Sequence, residues 1–248
     1  MGATEGTVSE RPAADGGGTS WGKLLRWGTI AAIVVVALIN VFADVIPPLV
    51  VFALIWIGSL WWLGRSTKGP AILLLVSFVA FLVLSAPFVV PTLTVPASAG
   101  DFILNVASIL AALTGIVASI ALLRGLGPSG APLSIARAAA GLFVVAAIFS
   151  VFSTVTYDDA TRQEGDIELV AKDVEFVPTS LESDGGEISV FVENQGSTLH
   201  TFTIDDLDVD LDVPASKSAR VTFDAEPGTY EFYCVPHAGD MEGTLTVE

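Results

Sequence analysis

The chain has 248 residues, is 52% hydrophobic and carries a formal net charge of −16 at pH 7. Residues 21–157 contain two acids and six bases, whereas residues 158–248 contain 22 acids and four bases, so the chain is too divided for one uniform domain. The single cysteine excludes an intramolecular disulfide, and we expect no nucleic-acid partner.

Residues 1–20 are rich in Gly, Ala, Ser, Thr and Glu and include the run Gly16-Gly17-Gly18. Such a segment buries little apolar surface, which predicts a disordered cytoplasmic tail. It does not resemble a secretory signal, because no short apolar core with a cleavage site follows its charged part.

Residues 21–157 predict an α-helical transmembrane bundle of about five spans. The sequence from Leu24 to Leu63 is apolar almost throughout, and one helix of that length would measure about 60 Å, roughly twice the hydrocarbon core of a bilayer. Asp44 and the pair Pro47-Pro48 divide this stretch into two spans. The predicted spans are residues 24–43, 47–63, 70–90, 102–123 and 134–156, with a loop at 91–100.

The basic residues of this region predict its orientation. In the five-span arrangement they all fall on one side of the membrane: Lys23, Arg26, Arg65, Lys68, Arg124 and Arg137. The opposite connections, 44–47 and 91–101, contain no Lys or Arg. By the positive-inside rule, the N-terminus is cytoplasmic and the C-terminal domain lies outside the cell membrane.

The predicted spans carry little recognisable chemistry. No histidine lies in residues 1–199, which excludes haem ligation by histidine within the membrane. No ionisable residue lies in the middle of a span, which argues against a proton pathway built on carboxylates. Packing of the helices with one another or with partner subunits is the favoured interpretation, and a quinone or lipid pocket is the alternative.

Residues 158–165 are polar and predict a linker, and residues 166–248 predict an all-β sandwich of the Greek-key type. Runs rich in Val, Ile, Thr, Phe and Tyr occur at 167–173, 187–193, 200–205, 218–223, 229–234 and 243–247. The acidic run from Asp205 to Asp212 alternates Asp with Leu and Val, which favours a strand with one solvated face. A calcium loop and a docking face for a basic partner are the alternatives.

The residues with metal-binding chemistry are concentrated near the C-terminus. Cys234, His237 and Met241 lie within eight residues of one another, and His200, the only other histidine, lies in another strand-like run. Two imidazoles and a thiolate in a plane, with a weak axial thioether, form the ligand set of a blue-copper site. Soft sulfur suits Cu(I) and imidazole suits either oxidation state, so ligands fixed in advance allow one electron to move with little rearrangement.

The stretch YCVPHAGDMEG at 233–243, preceded by PGTYEF, resembles the C-terminal ligand loop of cupredoxins such as plastocyanin, amicyanin and halocyanin. The stretch NQGSTLHTFTI at 194–204 resembles their first-ligand strand. This resemblance covers about the last third of the chain and implies one type 1 copper ion bound by His200, Cys234, His237 and Met241.

Two features depart from the family pattern. In the spacing Cys-x2-His-x3-Met, the gap between His237 and Met241 is one residue shorter than in plastocyanin and one longer than in amicyanin. Thr201 stands where plastocyanins commonly have asparagine, and its hydroxyl could tie the two ligand loops together.

These observations predict a membrane-anchored carrier of single electrons that is not an enzyme. The resemblance implies that His237 lies nearest the surface and acts as the electron port. The acidic surface would steer a basic partner, such as a cytochrome c or a respiratory complex, or would reflect a saline exterior. A copper-delivery module and an accessory subunit of a respiratory complex are the alternatives. A multicopper oxidase is excluded within this chain, since its copper clusters need a second cysteine or many more histidines.

Overall fold

The computed structural model describes residues 20–42 and 46–248. Most of the predicted N-terminal tail, and Asp44 between the first two predicted spans, lie outside the described residues. The described part of the chain forms a group of long helices followed by a β-sandwich, as the sequence predicted. The helices are α1 (Trp21–Phe42), α2 (Pro47–Leu63), α3 (Lys68–Thr94), α4 (Ala99–Leu123) and α5 (Ala131–Val155).

Helix α4 lies at the centre of the helical region, with α1, α3 and α5 packed against it. Gly115 allows α4 to approach α3 closely, because a Cβ atom on Gly115 would lie 2.3 Å from the ring of Phe78 on α3. Helix α2 packs between α1 and α3. Its Trp56 is fully buried, and the indole N–H donates a hydrogen bond of 3.0 Å to Ser77 Oγ. The outer surfaces of the helices are largely apolar.

Helix α3 is longer than the sequence predicted, because it continues through Pro87 and Pro91 to Thr94. The predicted loop at 91–100 is therefore reduced to residues 95–98. Prolines are tolerated in apolar helices where neighbouring groups hold the backbone in place. Here Asn105 of α4 donates a hydrogen bond of 2.7 Å to the Thr92 hydroxyl, which fixes the last turns of α3.

The sandwich consists of two sheets around one core. Its strands are β1 (Ile167–Lys172), β2 (Glu175–Val177), β3 (Ser180–Ser183), β4 (Gly186–Asn194), β5 (His200–Ile204), β6 (Val209–Val213), β7 (Ser218–Ala225), β8 (Gly228–Tyr233) and β9 (Glu242–Val247). One sheet has the order β2-β1-β4-β7, and the other has the order β3-β9-β8-β5-β6. Strand β1 runs parallel to β4 and β3 parallel to β9, whereas the other pairs are antiparallel.

The acidic run contains a turn as well as a strand. Residues Asp205–Leu207 form a single 3-10 turn that ends at Asp208 in a left-handed conformation, and β6 then begins at Val209. Within β6, Val209 and Val213 are buried and the intervening aspartates are exposed. The predicted strand with one solvated face is therefore present, but it covers only the second half of the run.

Candidate metal centre

Two neighbouring strands bring the candidate ligands to one end of the sandwich. Strands β5 and β8 are antiparallel neighbours, with Thr203 paired to Tyr233. His200 begins β5 and Cys234 directly follows β8, so the two residues lie at the same end of the sheet. The loop between β8 and β9 then supplies His237 and Met241. Strand pairing thus brings together residues that are 34 positions apart.

Three side chains converge with spacing that suits a single metal ion. The Nδ1 atom of His200 lies 3.6 Å from Cys234 Sγ, and the Nδ1 atom of His237 lies 3.4 Å from it. The ligand atoms of this cluster all lie within 4.8 Å of one another. Metal–nitrogen and metal–sulfur bonds of about 2.0–2.3 Å in a trigonal arrangement place ligand atoms about 3.5 Å apart. The residues present therefore fit a metal bound between two imidazoles and a thiolate.

Met241 closes the same loop. Cys234 N–H donates to the carbonyl of Met241 at 3.0 Å, and Met241 N–H donates to the carbonyl of His237 at 3.1 Å. The Met241 side chain is fully buried within the core that also contains Cys234. These backbone contacts hold Met241 at the end of the ligand loop.

Thr201 connects the two ligand-bearing segments. Its backbone N–H donates to Cys234 Sγ at 3.4 Å, and its Oγ1 accepts the N–H of Val235 at 2.8 Å. The predicted tie through this hydroxyl is therefore confirmed. The Thr203 hydroxyl donates to Asp210 Oδ1 at 3.0 Å, so the Thr201 hydroxyl is left to donate to Thr203 Oγ1, also at 3.0 Å. A chain of hydroxyl groups thus holds the start of the ligand loop against β5 and β6.

We expect Thr201→Val to weaken the ligand loop, because valine has a similar shape but cannot accept the Val235 N–H. An unsatisfied buried donor costs about 1–3 kcal/mol, so the copper-free protein should unfold at lower denaturant concentration and the loaded protein should release copper faster. Thr222→Val is the matched control and should change neither measurement, because Thr222 is an exposed residue of β7 and water can replace its hydroxyl bonds. Equal effects of the two substitutions would contradict this role for Thr201.

Asn194 shapes the loop that leads into His200. Its side-chain amide donates to the carbonyls of Thr198 and Val213, each at 2.8 Å, and its Oδ1 accepts the N–H of Gly196 at 2.8 Å. A Cβ atom on Gly196 would lie only 3.1 Å from His200 Nε2, so glycine permits this close approach. Asn194 begins the stretch that resembles the first-ligand strand, but the sequence alone indicated no role for it. Asn194 lies at a strand end, two residues before a glycine, which is typical of an Asx turn and could have indicated its role.

Burial determines the protonation of the candidate ligand side chains. Desolvation and the neighbouring His237 lower the pKa of His200 to about 4, and desolvation also lowers the pKa of His237. Desolvation raises the pKa of the Cys234 thiol, although the N–H of Thr201 and of His237 partly offsets this effect. At neutral pH both imidazoles are therefore in the neutral form that binds metals, and copper binding releases the thiol proton.

These pKa shifts predict acid sensitivity of the copper-free protein. The pKa of His200 is lower in the folded state than in the unfolded chain, so the stability it contributes is complete above about pH 6.5 and falls as the pH approaches 4. The expected loss is roughly 3 kcal/mol in the free energy of unfolding, measured by urea titration at several pH values. In His200→Gln, which cannot titrate, this dependence should be much weaker. An unchanged pH dependence would contradict the assignment.

A β-sandwich with a His-Cys-His cluster at one end of the sheet defines this domain as a metal-binding sandwich. The Cupredoxin-like domain family model matches residues 141–247. The chloroplastic plastocyanin of Pisum sativum is 35% identical over 136 residues, which cover 48% of this chain and 79% of the pea protein. The plastocyanin of Rumex obtusifolius is 37% identical over 87 residues, 29% of this chain and 87% of that protein.

The chain therefore belongs to the cupredoxin family, and its domain is of the plastocyanin-like type that binds one copper ion. A cryo-EM structure of a heme-copper terminal oxidase dimer contains a chain with a TM-score of 0.30 and 16% identity to this one. The match covers 47% of this chain and 99% of that chain.

Proposed function

We propose that the protein is a membrane-anchored type 1 copper protein that carries single electrons outside the cytoplasm. His200, Cys234 and His237 would hold the copper ion, and the thioether of Met241 would be its fourth ligand. The observation that carries this proposal is the convergence of two Nδ1 atoms on one sulfur, at 3.6 and 3.4 Å. Bound copper supplies the one-electron couple of the centre.

The protein residues contribute rigidity to this chemistry. The backbone hydrogen bonds of the ligand loop and the Thr201 hydroxyl hold Cys234 and the loop in position before any metal binds. The Thr201 N–H donates to the sulfur and favours its thiolate form. His200 and Cys234 are fully buried, so water is excluded from two of the candidate ligands. A fixed, dry ligand set changes little between oxidation states, which favours fast electron exchange.

Membrane anchoring is supported by the lengths and composition of the helices. Four of them have 21–27 residues in their apolar segments, with mean hydropathy between 2.1 and 2.7. Helix α2 has 17 residues and would measure about 25 Å, slightly less than a hydrocarbon core of about 30 Å. Trp61 and Trp62 near its end are exposed and suit the membrane interface. We include α2 as the fifth span.

The orientation follows from charge. Arg65 lies between α2 and α3, Lys68 begins α3, and Arg124 directly follows α4. The cupredoxin domain follows the opposite end of α5, and it contacts the short α3–α4 loop, which has no basic residue. By the positive-inside rule, the copper domain lies outside the cell membrane and the basic connections face the cytoplasm.

The exposed acids of the domain favour a basic redox partner, such as a cytochrome c or the corresponding surface of a respiratory complex. Tyr233, next to Cys234, donates a hydrogen bond of 3.1 Å to the exposed Asp205. Asp206, Asp210 and Glu231 are also exposed on this part of the sandwich. Clustered charge of one sign speeds encounter with the opposite sign, and salt screens this effect.

Stopped-flow mixing of the copper-loaded full chain with reduced cytochrome c tests this proposal. We expect rapid reduction of copper, with a rate constant that falls steeply as ionic strength rises. Asp205→Asn should weaken the salt dependence, whereas Glu182→Gln on β3 is the charge-matched control and should leave it nearly unchanged. Slow electron exchange combined with transfer of the metal to an acceptor would instead identify a copper-delivery protein.

A further inference from the structure

The cupredoxin domain is hydrogen-bonded to the helical region at the end that carries the metal centre. Asp101, in the first turn of α4, accepts the backbone N–H of Leu199, the residue directly before His200. Ser98 Oγ accepts the N–H of Ala215 at 3.3 Å and donates to Asp101 Oδ2 at 2.9 Å. The two contacts reach two separate loops of the sandwich, one before β5 and one after β6.

The receiving surface, residues 95–101, is held firmly by the other helices. Ser150 and Thr154 of α5 donate hydrogen bonds of 2.7 and 2.9 Å to the carbonyls of Pro96 and Ala97. Ser98 is fully buried. A loop held in this way is already ordered before it meets a partner, which reduces the entropy lost on docking.

Burial of the Asp101 carboxyl group is unfavourable unless the helical region and the cupredoxin domain are in contact. It is the only acid between residues 45 and 157, at the end of a helix whose composition suits a membrane span. Ionisable groups in such places are expensive and need hydrogen-bond partners. Asp101 accepts hydrogen bonds from the Ser98 hydroxyl and from the N–H of Leu199, and Leu199 belongs to the cupredoxin domain.

Further contacts extend this surface toward the ligand loop. Helix α3 lies beside the 3-10 turn Val235–His237. Gly100 lies so close to the sandwich that a Cβ atom there would be 3.6 Å from the carbonyl oxygen of Ser197. The helical region thus approaches both segments that supply candidate ligands.

We propose that residues 95–101 form a docking platform for the copper-site end of the cupredoxin domain, with Asp101 as the positioning residue for the loop that enters His200. In the docked arrangement, α3 covers one side of the copper-site end of the cupredoxin domain. The domain cannot rotate about its linker to expose that side to a soluble protein. The partner that occupies this side of the centre is the chain's own helical region. Electron exchange then takes place at the surfaces that docking leaves open.

Amide-resolved hydrogen exchange on the copper-free full chain in lipid nanodiscs tests the docking. We expect Asp101→Ala to speed exchange of Leu199 by about tenfold, the change for losing one hydrogen bond of about 1.4 kcal/mol. The decisive readout is Ala215, which bonds to Ser98 and not to Asp101. Its exchange should rise similarly if the whole contact opens. Asp101→Asn keeps an acceptor oxygen and should retain most of the protection.

Two further variants make the result decisive. Ser98→Ala should speed exchange of Leu199 as well as Ala215, whereas Asp205→Ala, which removes an exposed acid at the other end of β5, should change neither amide. A rise at Leu199 alone, no rise at all, or an equal rise throughout β4 and β7 would overturn the docking platform. Because copper is absent, these outcomes are independent of whether the protein carries electrons.

Discussion

Cys234→Ser is expected to abolish the intense visible absorption of the copper-loaded protein and to weaken copper binding severely. The thiolate is the only soft anionic ligand in the cluster, and the serine hydroxyl is a poor donor that stays protonated at neutral pH. The band arises from charge transfer between thiolate and Cu(II), so it cannot persist without the sulfur. Absorption spectroscopy during copper titration of the full chain measures both effects.

The control for this substitution is the fold of the copper-free variant. Serine is close in size to cysteine, and the Cys234 backbone bond to the Met241 carbonyl does not involve the side chain. Amide exchange in β8 and β9 should therefore remain close to that of the unaltered protein. A variant that is folded and keeps the visible band would show that Cys234 is not a copper ligand.

Phe232→Ala is expected to cost about 3–5 kcal/mol in the free energy of unfolding of the sandwich, because it leaves a large cavity in the core. Phe232 is fully buried, and its ring centroid lies 5.2 Å from those of both Phe176 and Phe202. Gly243 on β9 lies against the same ring, where a Cβ atom would come within 2.2 Å. Strand β8 leads directly into Cys234, so copper retention should fall as well.

Phe223→Ala on β7 is the matched control for this second substitution. The substitution removes the same number of atoms from a side chain that is only half-buried. The loss in the free energy of unfolding should therefore be clearly smaller than for Phe232→Ala. The denaturant dependence of amide exchange in β8 and β9 measures the difference, since all five tryptophans lie in the helical region. Equal costs for the two phenylalanines would contradict the described core.

The ligand cluster could be predicted from sequence because its chemistry is concentrated in few residues. Cys234 and His237 belong to one short loop, and His200 was the only other histidine available. Strand sequence around both segments made their approach across one sheet plausible. The Thr201 hydroxyl bond could also be predicted, since a hydroxyl next to one candidate ligand lies within reach of the backbone of the neighbouring ligand loop.

The contact between the two regions could not be predicted in this way. Asp101 and Leu199 are 98 residues apart, and no local pattern relates a helix start to a loop in a distant sandwich. The isolation of Asp101 in a stretch without other acids was a signal, but it identified no partner. The length of α3 was missed for a related reason, since contacts with α4 stabilise its last turns beyond Pro91.

Electron paramagnetic resonance of the full chain loaded with one equivalent of Cu(II) tests the central claim most directly. If the two imidazoles and the thiolate share the metal, the unpaired electron is spread onto sulfur and the parallel copper hyperfine splitting is narrow. A wide splitting typical of copper bound only to nitrogen and oxygen would contradict the proposed centre, even if the metal bound tightly.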